Sequence, residues 1–86
     1  MESELSGNQQ QLLRSFDQLA AGSPTTDVTA SAAAQEAGFD PDSRRFEAAL
    51  GYLVDVGYLA RAGSEGEDTF RITVAGINEV QRRPQL

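Results

Sequence analysis

Arginine is the residue type in this sequence that is best suited to binding a ligand. All seven basic residues are Arg, and no Lys is present. Arg44 and Arg45 are adjacent in the chain. A planar guanidinium can make two parallel hydrogen bonds to one partner, which suits short-range recognition. The alternative interpretation is that both side chains lie on a solvated surface and pair with Asp42 or Glu47.

Several kinds of catalytic and metal site are excluded by the composition. The sequence contains neither His nor Cys, so it has no imidazole base, no histidine or thiolate metal ligand and no Ser-His-Asp triad. Catalysis would need Asp, Glu, Ser or Tyr in a sheltered cleft. The acidic residues fall instead in predicted caps, turns and solvent-facing positions. We therefore expect a protein that is not an enzyme and that has no metal and no cofactor.

The acidic charge balance supports two interpretations. Thirteen acidic and seven basic residues give a net charge of −6. Taken alone, this charge opposes binding to nucleic acid, because phosphates dominate that affinity. However, an acidic, Lys-free and Ala-rich composition is also typical of halophilic archaea, where an acidic surface is an adaptation to salt. On this second interpretation, which we favour, the charge reflects the solvent rather than the partner.

Length and hydropathy predict one soluble domain. The 86 residues suit a single domain over 1–86, with an ordered core over about 7–83. The longest stretch without strongly polar residues is Ala48–Val54, far short of the roughly 20 residues that a membrane helix needs. Residues 1–4 are acidic in part and lack the basic and apolar regions of a secretory signal. We expect a cytoplasmic protein with no membrane partner.

Three helices are predicted in the first two thirds of the chain. Apolar residues with helical spacing favour helices over residues 7–21, 30–37 and 41–56. Their predicted N-caps are Ser6, Thr29 and Asp40. Gly38 ends the second helix and leaves only a short turn before the third. The segment around Val28 is extended at most. The second and third helices thus form a helix-turn-helix arrangement.

The third predicted helix has two distinct faces. At 100° per residue, one face is apolar and should be core; it contains Phe46, Leu50, Leu53 and Gly57, with Ala49, Val54 and Val56 beside them. The opposite face carries Arg44, Ala48, Gly51 and Asp55, flanked by Arg45, Tyr52 and Glu47. Glycine on an exposed helix face costs roughly 1 kcal/mol relative to alanine. Gly51 and Ala48 therefore suggest a shallow trough that another surface can approach, although neutral drift would also explain them.

A hairpin and a last helix are predicted in the remaining chain. Apolar runs at 59–62 and 69–73 bracket a loop with two glycines, which is typical of a β-hairpin. Phe70 and Ile72 alternate with polar residues and should point inward. Thr73 can cap a final helix through Val74, Ile77 and Val80. The predicted class is α+β: a three-helix core, a two- or three-stranded β wing and a short C-terminal helix.

This order of elements resembles a winged helix-turn-helix domain. Two segments strengthen the resemblance: Ala49-Leu50-Gly51-Tyr52-Leu53 followed by Gly57-Tyr58-Leu59, and Phe70-Arg71-Ile72-Thr73 followed by Gly76. They are similar to the end of a third helix entering the wing, and to the second wing strand entering the last helix. Small domains of this kind occur as transcriptional regulators in archaea and bacteria, and also as protein-interaction modules, so fold alone does not settle function.

The resemblance implies a way of contacting double-stranded DNA. In this family the third helix enters the major groove and the wing reaches the backbone. An Arg near the start of that helix can donate two hydrogen bonds to guanine. The expected DNA-binding residues are Arg44, Arg45, Ala48, Gly51, Tyr52, Arg61 and Arg71. Tyr52 could instead pack against the wing.

Two features leave a protein partner as the alternative function. The wing tip carries Glu65, Glu67 and Asp68 where basic residues are usual, and these repel phosphate. A solvated halophilic loop would account for the same charges. The alternative is a protein-protein interaction module without DNA binding. A homodimer or another protein would then bind through the same trough or through Ile77 and Val80 of the last helix.

Overall fold

The computed structural model describes residues 7–63 and 68–82 and has an α+β architecture. Its helices are α1 (Gly7–Ala20), α2 (Ala30–Ala37), α3 (Arg44–Asp55) and α4 (Val74–Arg82), and its strands are β1 (Val28–Thr29), β2 (Leu59–Arg61) and β3 (Thr69–Ile72). The predicted α+β class is confirmed. Within the described ranges, no helix is long and apolar enough to span a bilayer.

The α1 helix supplies a large part of the core. Leu12, Leu13 and Phe16 are fully buried, as their helical spacing predicts. The helix ends where Ala21 and then Gly22 adopt positive φ values of 54° and 73°. Ser6, the predicted cap of this helix, lies outside the described residues.

The turn between α2 and α3 is built differently from the prediction. Thr29 caps α2, its hydroxyl accepting a hydrogen bond from the Ala32 N–H, and Gly38 ends the helix at φ 82°. Both features are as predicted. The predicted start of α3 at Pro41 is wrong, because Ser43 and not Asp40 is the N-cap. The Asp40 carboxylate accepts a hydrogen bond from the Asp42 N–H (3.0 Å), which closes a local turn and delays the helix to Arg44.

The buried face of α3 is rotated relative to the prediction. Phe46, Ala49 and Leu53 are buried, whereas Leu50 and Val54 are half-buried and Val56 is 42% exposed. The small Ala49 side chain faces the core, where α3 packs against α1. The sheet does not fully cover the other side of the apolar face. A groove therefore remains beside Leu50 and Val54.

The three strands form one antiparallel sheet in the order β1-β3-β2. Val28 of β1 pairs with Phe70, so the short extended segment adds a third strand to the hairpin. In β3, Phe70 and Ile72 are buried and Arg71 is exposed, which confirms the predicted alternation. The Phe70 ring contacts Phe16 edge-on at 6.1 Å between centroids and so joins the sheet to α1.

Hydrogen bonds join the start of α4 to the turn between α3 and β2. Thr73 caps α4 by accepting a hydrogen bond from the Gly76 N–H (3.0 Å). The same hydroxyl donates to the Gly57 carbonyl at 2.7 Å, and the Thr73 N–H donates to the Tyr58 carbonyl at 3.0 Å. A Cβ on Gly76 would lie 2.3 Å from the Tyr58 oxygen. The two segments that carry the sequence resemblance are therefore in direct contact.

The structure bears on two expectations about α4. Ile77 and Val80 are half-buried and pack against the core, so part of the apolar surface expected to meet a partner is already covered. The acidic residues are not all in caps, turns or solvent, because Glu79 is 4% exposed. Its carboxylate accepts a hydrogen bond from the Tyr58 hydroxyl (3.4 Å) and lies 3.6 Å from Arg82. At 100° per residue Glu79 lies about 160° from Ile77, so helical spacing does not predict its burial.

Candidate nucleic-acid interface

The outward face of α3 is the candidate interface. Arg44, Ala48, Gly51 and Asp55 are exposed together on this face, as predicted. A Cβ placed on Gly51 would meet no atom within 4 Å. The absence of a side chain at Gly51 therefore serves no internal packing, and the surface at this position, one helical turn from Ala48, is open.

The paired arginines begin this helix. Arg44 and Arg45 follow the Ser43 cap directly, and Ser43 fixes the first turn by accepting a hydrogen bond from the Phe46 N–H (3.1 Å). Both side chains are exposed. Neither forms an ion pair with another residue of 7–63 or 68–82. The alternative interpretation is therefore wrong about pairing with Asp42 or Glu47, whereas the exposed surface that it expected is present. Their guanidinium groups remain able to reach an external partner.

A small pocket lies at the start of the same helix. Arg45 lines it together with Gly38, Phe39, Asp40 and Ser43, and its volume is about 220 Å³. The Phe39 ring also packs against Phe46 at 6.0 Å between centroids. The turn that precedes α3 is thereby anchored to the core, which fixes where the two arginines emerge.

Tyr52 lies at the border of the outward face. It is half-buried and packs against the core cluster. Tyr52 is therefore not a fully exposed contact residue.

Arg61 of the hairpin lies close to α3. It pairs with Phe70 across the ladder, and paired residues of an antiparallel ladder share one face of the sheet. Arg61 therefore projects on the side that faces the helices. Its guanidinium carbon lies 5.4 Å from the centroid of the Phe70 ring. The structure brings Arg61 and Gly51 to the same groove.

Arg71 is directed away from this groove. It pairs with Ala60 on the opposite face of the sheet, and its Nε donates to the Asp27 carboxylate at 2.6 Å. The structure therefore does not bring Arg71 together with the other predicted residues. The sequence does not predict that Arg61 and Arg71 lie on opposite faces of the sheet. That placement depends on the register of the two strands, and a hairpin loop longer than a tight turn does not fix the register.

Two carboxylates lie beside the candidate interface. Glu47 and Asp68 line the groove between α3 and the sheet, and both are exposed. Glu65 and Glu67, the other acidic residues expected at the wing tip, lie outside the described residues. Of the residues that the structure does describe, no group of three or more acidic side chains is arranged to hold a metal ion.

Comparisons with known proteins found no match. No protein-family model, no curated protein and no solved structure matches the chain. The function is therefore inferred from the residues of α3 and the hairpin.

Proposed function

We propose that this chain is a winged helix-turn-helix protein that binds double-stranded DNA through α3 and acts as a small transcriptional regulator. The observation that carries the proposal is the outward face of α3. Arg44 and Arg45 stand at its start without ion-pair partners among the described residues, and open surface at Gly51 follows, where we propose a shallow trough with Ala48. The chain is thus proposed to be a binding protein and not an enzyme.

Helix-turn-helix docking accounts for this arrangement. The N-terminal residues of the second helix of such a pair contact base edges in the major groove. Arg44 and Arg45 occupy those positions in α3, and a guanidinium there can contact guanine at O6 and N7. The trough lets the helix approach the groove closely. Arg61, on the neighbouring hairpin, is proposed to contact the phosphate backbone.

The few basic residues suit binding at high salt. At about 1 M salt the Debye length is only ~3 Å, and affinity from counterion release falls steeply. A regulator working under those conditions gains little from a broad basic surface. It depends on short-range contacts, which two adjacent arginines and a close-fitting trough provide.

The runner-up is a protein-interaction module that uses the same face. The observation that favours it is the acidic lining beside Arg61, where Glu47 and Asp68 would repel phosphate. Val56 and Val74 are also exposed, at 42% and 62%, although soluble proteins commonly expose single apolar side chains. The proposed experiment separates the two functions.

The test begins with selection of bound sequences from random duplex DNA in molar potassium chloride. The parent protein should enrich a defined sequence. Gly51→Glu should abolish binding to that sequence, because it fills the trough with a negative charge. Ala60→Glu is the matched control: it adds the same charge at an exposed position on the outer face of the sheet, and it should bind nearly as the parent does.

Circular dichroism of each variant confirms that it is folded. Failure to enrich any sequence, or folded Gly51→Glu protein that binds as well as the parent, would contradict DNA reading by α3. The protein-interaction function would then be favoured.

A further inference from the structure

The groove between α3 and the sheet is slightly smaller than a typical small-molecule site. Its volume is about 270 Å³, just below the roughly 300–1,000 Å³ of pockets for drug-sized ligands. Its floor is apolar and includes Leu50 and Val54 from the helix and Phe70 from the sheet. Leu50 and Val54 are only half-buried, so each has apolar surface left for a ligand to cover.

Three charged side chains surround this apolar floor. Glu47 belongs to α3, Arg61 to β2, and Asp68 precedes β3; all three line the groove. None of them forms an ion pair with another residue in the described part of the chain. One basic and two acidic residues thus line the same groove and form no ion pair with one another.

Arg61 is held in place before any ligand binds. Its guanidinium lies over the Phe70 ring at 5.4 Å, and Phe70 is itself buried against Phe16. A cation over an aromatic face is attracted to it, and a side chain already ordered loses less entropy on binding. The planar edge of the guanidinium remains able to bind a carboxylate in two places.

We propose that this groove binds a free α-amino acid with an apolar side chain. The ligand carboxylate pairs with Arg61, its ammonium pairs with Glu47 and Asp68, and its side chain covers the half-buried Leu50 and Val54. A free amino acid carries both charges at neutral pH, so it satisfies both halves of the charged rim at once. This site does not depend on DNA binding, and its test uses no DNA.

The test is an NMR titration of the 15N-labelled protein with L-phenylalanine. Backbone amide signals of Gly51, Val54 and Phe70 should shift saturably. Two analogues serve as matched probes: 3-phenylpropionate lacks the ammonium group, and 2-phenylethylamine lacks the carboxylate. Each should bind at least about tenfold more weakly, because each leaves one half of the charged rim unpaired and a lost charge-assisted hydrogen bond is worth ~1.5–3 kcal/mol.

Two substitutions test which charged side chains of the groove bind the ligand. Arg61→Gln should weaken L-phenylalanine binding at least about tenfold, and Glu47→Gln should weaken it in the same direction. Arg71→Gln is the control, since Arg71 lies on the other face of the sheet, and it should leave binding unchanged. If Arg61→Gln is unfolded, Glu47→Gln on the opposite wall decides the question.

Three results would overturn the proposal. One is the absence of saturable shifts up to the solubility limit of the amino acid. Another is equal binding of 3-phenylpropionate or 2-phenylethylamine. The third is undiminished binding by the folded groove variants.

Discussion

At the scale of the residue, two helical glycines have opposite surroundings. Gly76 of α4 lies against the Tyr58 carbonyl, where an added Cβ would approach to 2.3 Å. Gly51 of α3 has open space where its Cβ would be. Gly76 is therefore required by packing, whereas Gly51 is not. Glycine that packing does not require, on an exposed helix, is consistent with a functional reason for a small residue.

Gly76→Ala should destabilise the protein. The added methyl group overlaps the Tyr58 backbone oxygen, which cannot move without disturbing its hydrogen bond from Thr73. Overpacking of this kind costs about 1–3 kcal/mol, which exceeds the ~1 kcal/mol that alanine gains in a helix. Urea denaturation measures the difference. Equal or greater stability of the variant would show that α4 does not pack closely on the turn before β2.

Gly51→Ala should have the opposite effect on stability. A methyl group meets no neighbour there, so the helix gains up to about 1 kcal/mol of unfolding free energy. Under the proposed function the same variant should bind selected duplex DNA more weakly, because the trough is shallower. Denaturation and a DNA titration of one preparation give both numbers. Lower stability would indicate that Gly51 has a structural role after all.

At the scale of the element, the sequence predicts the helices better than their orientation. The cap at Thr29, the stop at Gly38 and the inward residues of β3 follow from local rules and are confirmed. The predicted start of α3 is wrong. Asp40 and Ser43 are both good N-cap residues, and the local turn at Asp40 decides between them. The rotation of α3 depends on how far the sheet stands from the helix, which periodicity does not encode.

Truncation of two leucines on α3 tests that rotation. Leu53 is completely buried, so Leu53→Ala should cost about 2–5 kcal/mol. Leu50 is half-buried at the groove, so Leu50→Ala should cost clearly less. Thermal and urea unfolding compare the two variants directly. A larger loss of stability for Leu50→Ala than for Leu53→Ala would support the buried face that helical periodicity alone predicts.

The candidate site is predictable in part at this same scale. The outward face of α3 follows from helical period, and the structure keeps Arg44, Ala48 and Gly51 together on it. Helical period does not predict that Arg61 and Arg71 lie on opposite faces of the sheet, because this depends on the register of β2 against β3. The ion pair of Arg71 with Asp27 joins residues that are distant in sequence, and no local sequence pattern predicts it.

At the scale of the whole molecule, most of the acidic residues that the structure describes lie at the surface. Seven of the nine acidic residues in 7–63 and 68–82 are exposed. Carboxylates of like charge repel one another in dilute buffer, and salt screens that repulsion. The net charge of −6 is therefore compatible with the halophilic interpretation, and stability in salt tests it.

Thermal stability should rise between low and molar potassium chloride. Screening that contributes about 1 kcal/mol would raise the Tm of a domain this small by roughly 4–8 °C. A double variant, Asp42→Asn with Asp55→Asn, controls for the general effect of salt on hydrophobic burial and should show a smaller rise. A Tm that is flat or falls with salt would remove the halophilic explanation, and the acidic charge would then count against DNA binding.

The most direct test of α3 as the DNA reader is a titration of Arg45→Ala against the selected duplex in molar potassium chloride. We predict a loss of about 1–3 kcal/mol in binding, with discrimination relaxed at a single base pair. Arg71→Ala should bind as the parent does, because Arg71 is paired with Asp27 on the other face of the sheet. A folded Arg44→Ala/Arg45→Ala protein that binds the duplex as tightly as the parent would contradict the account.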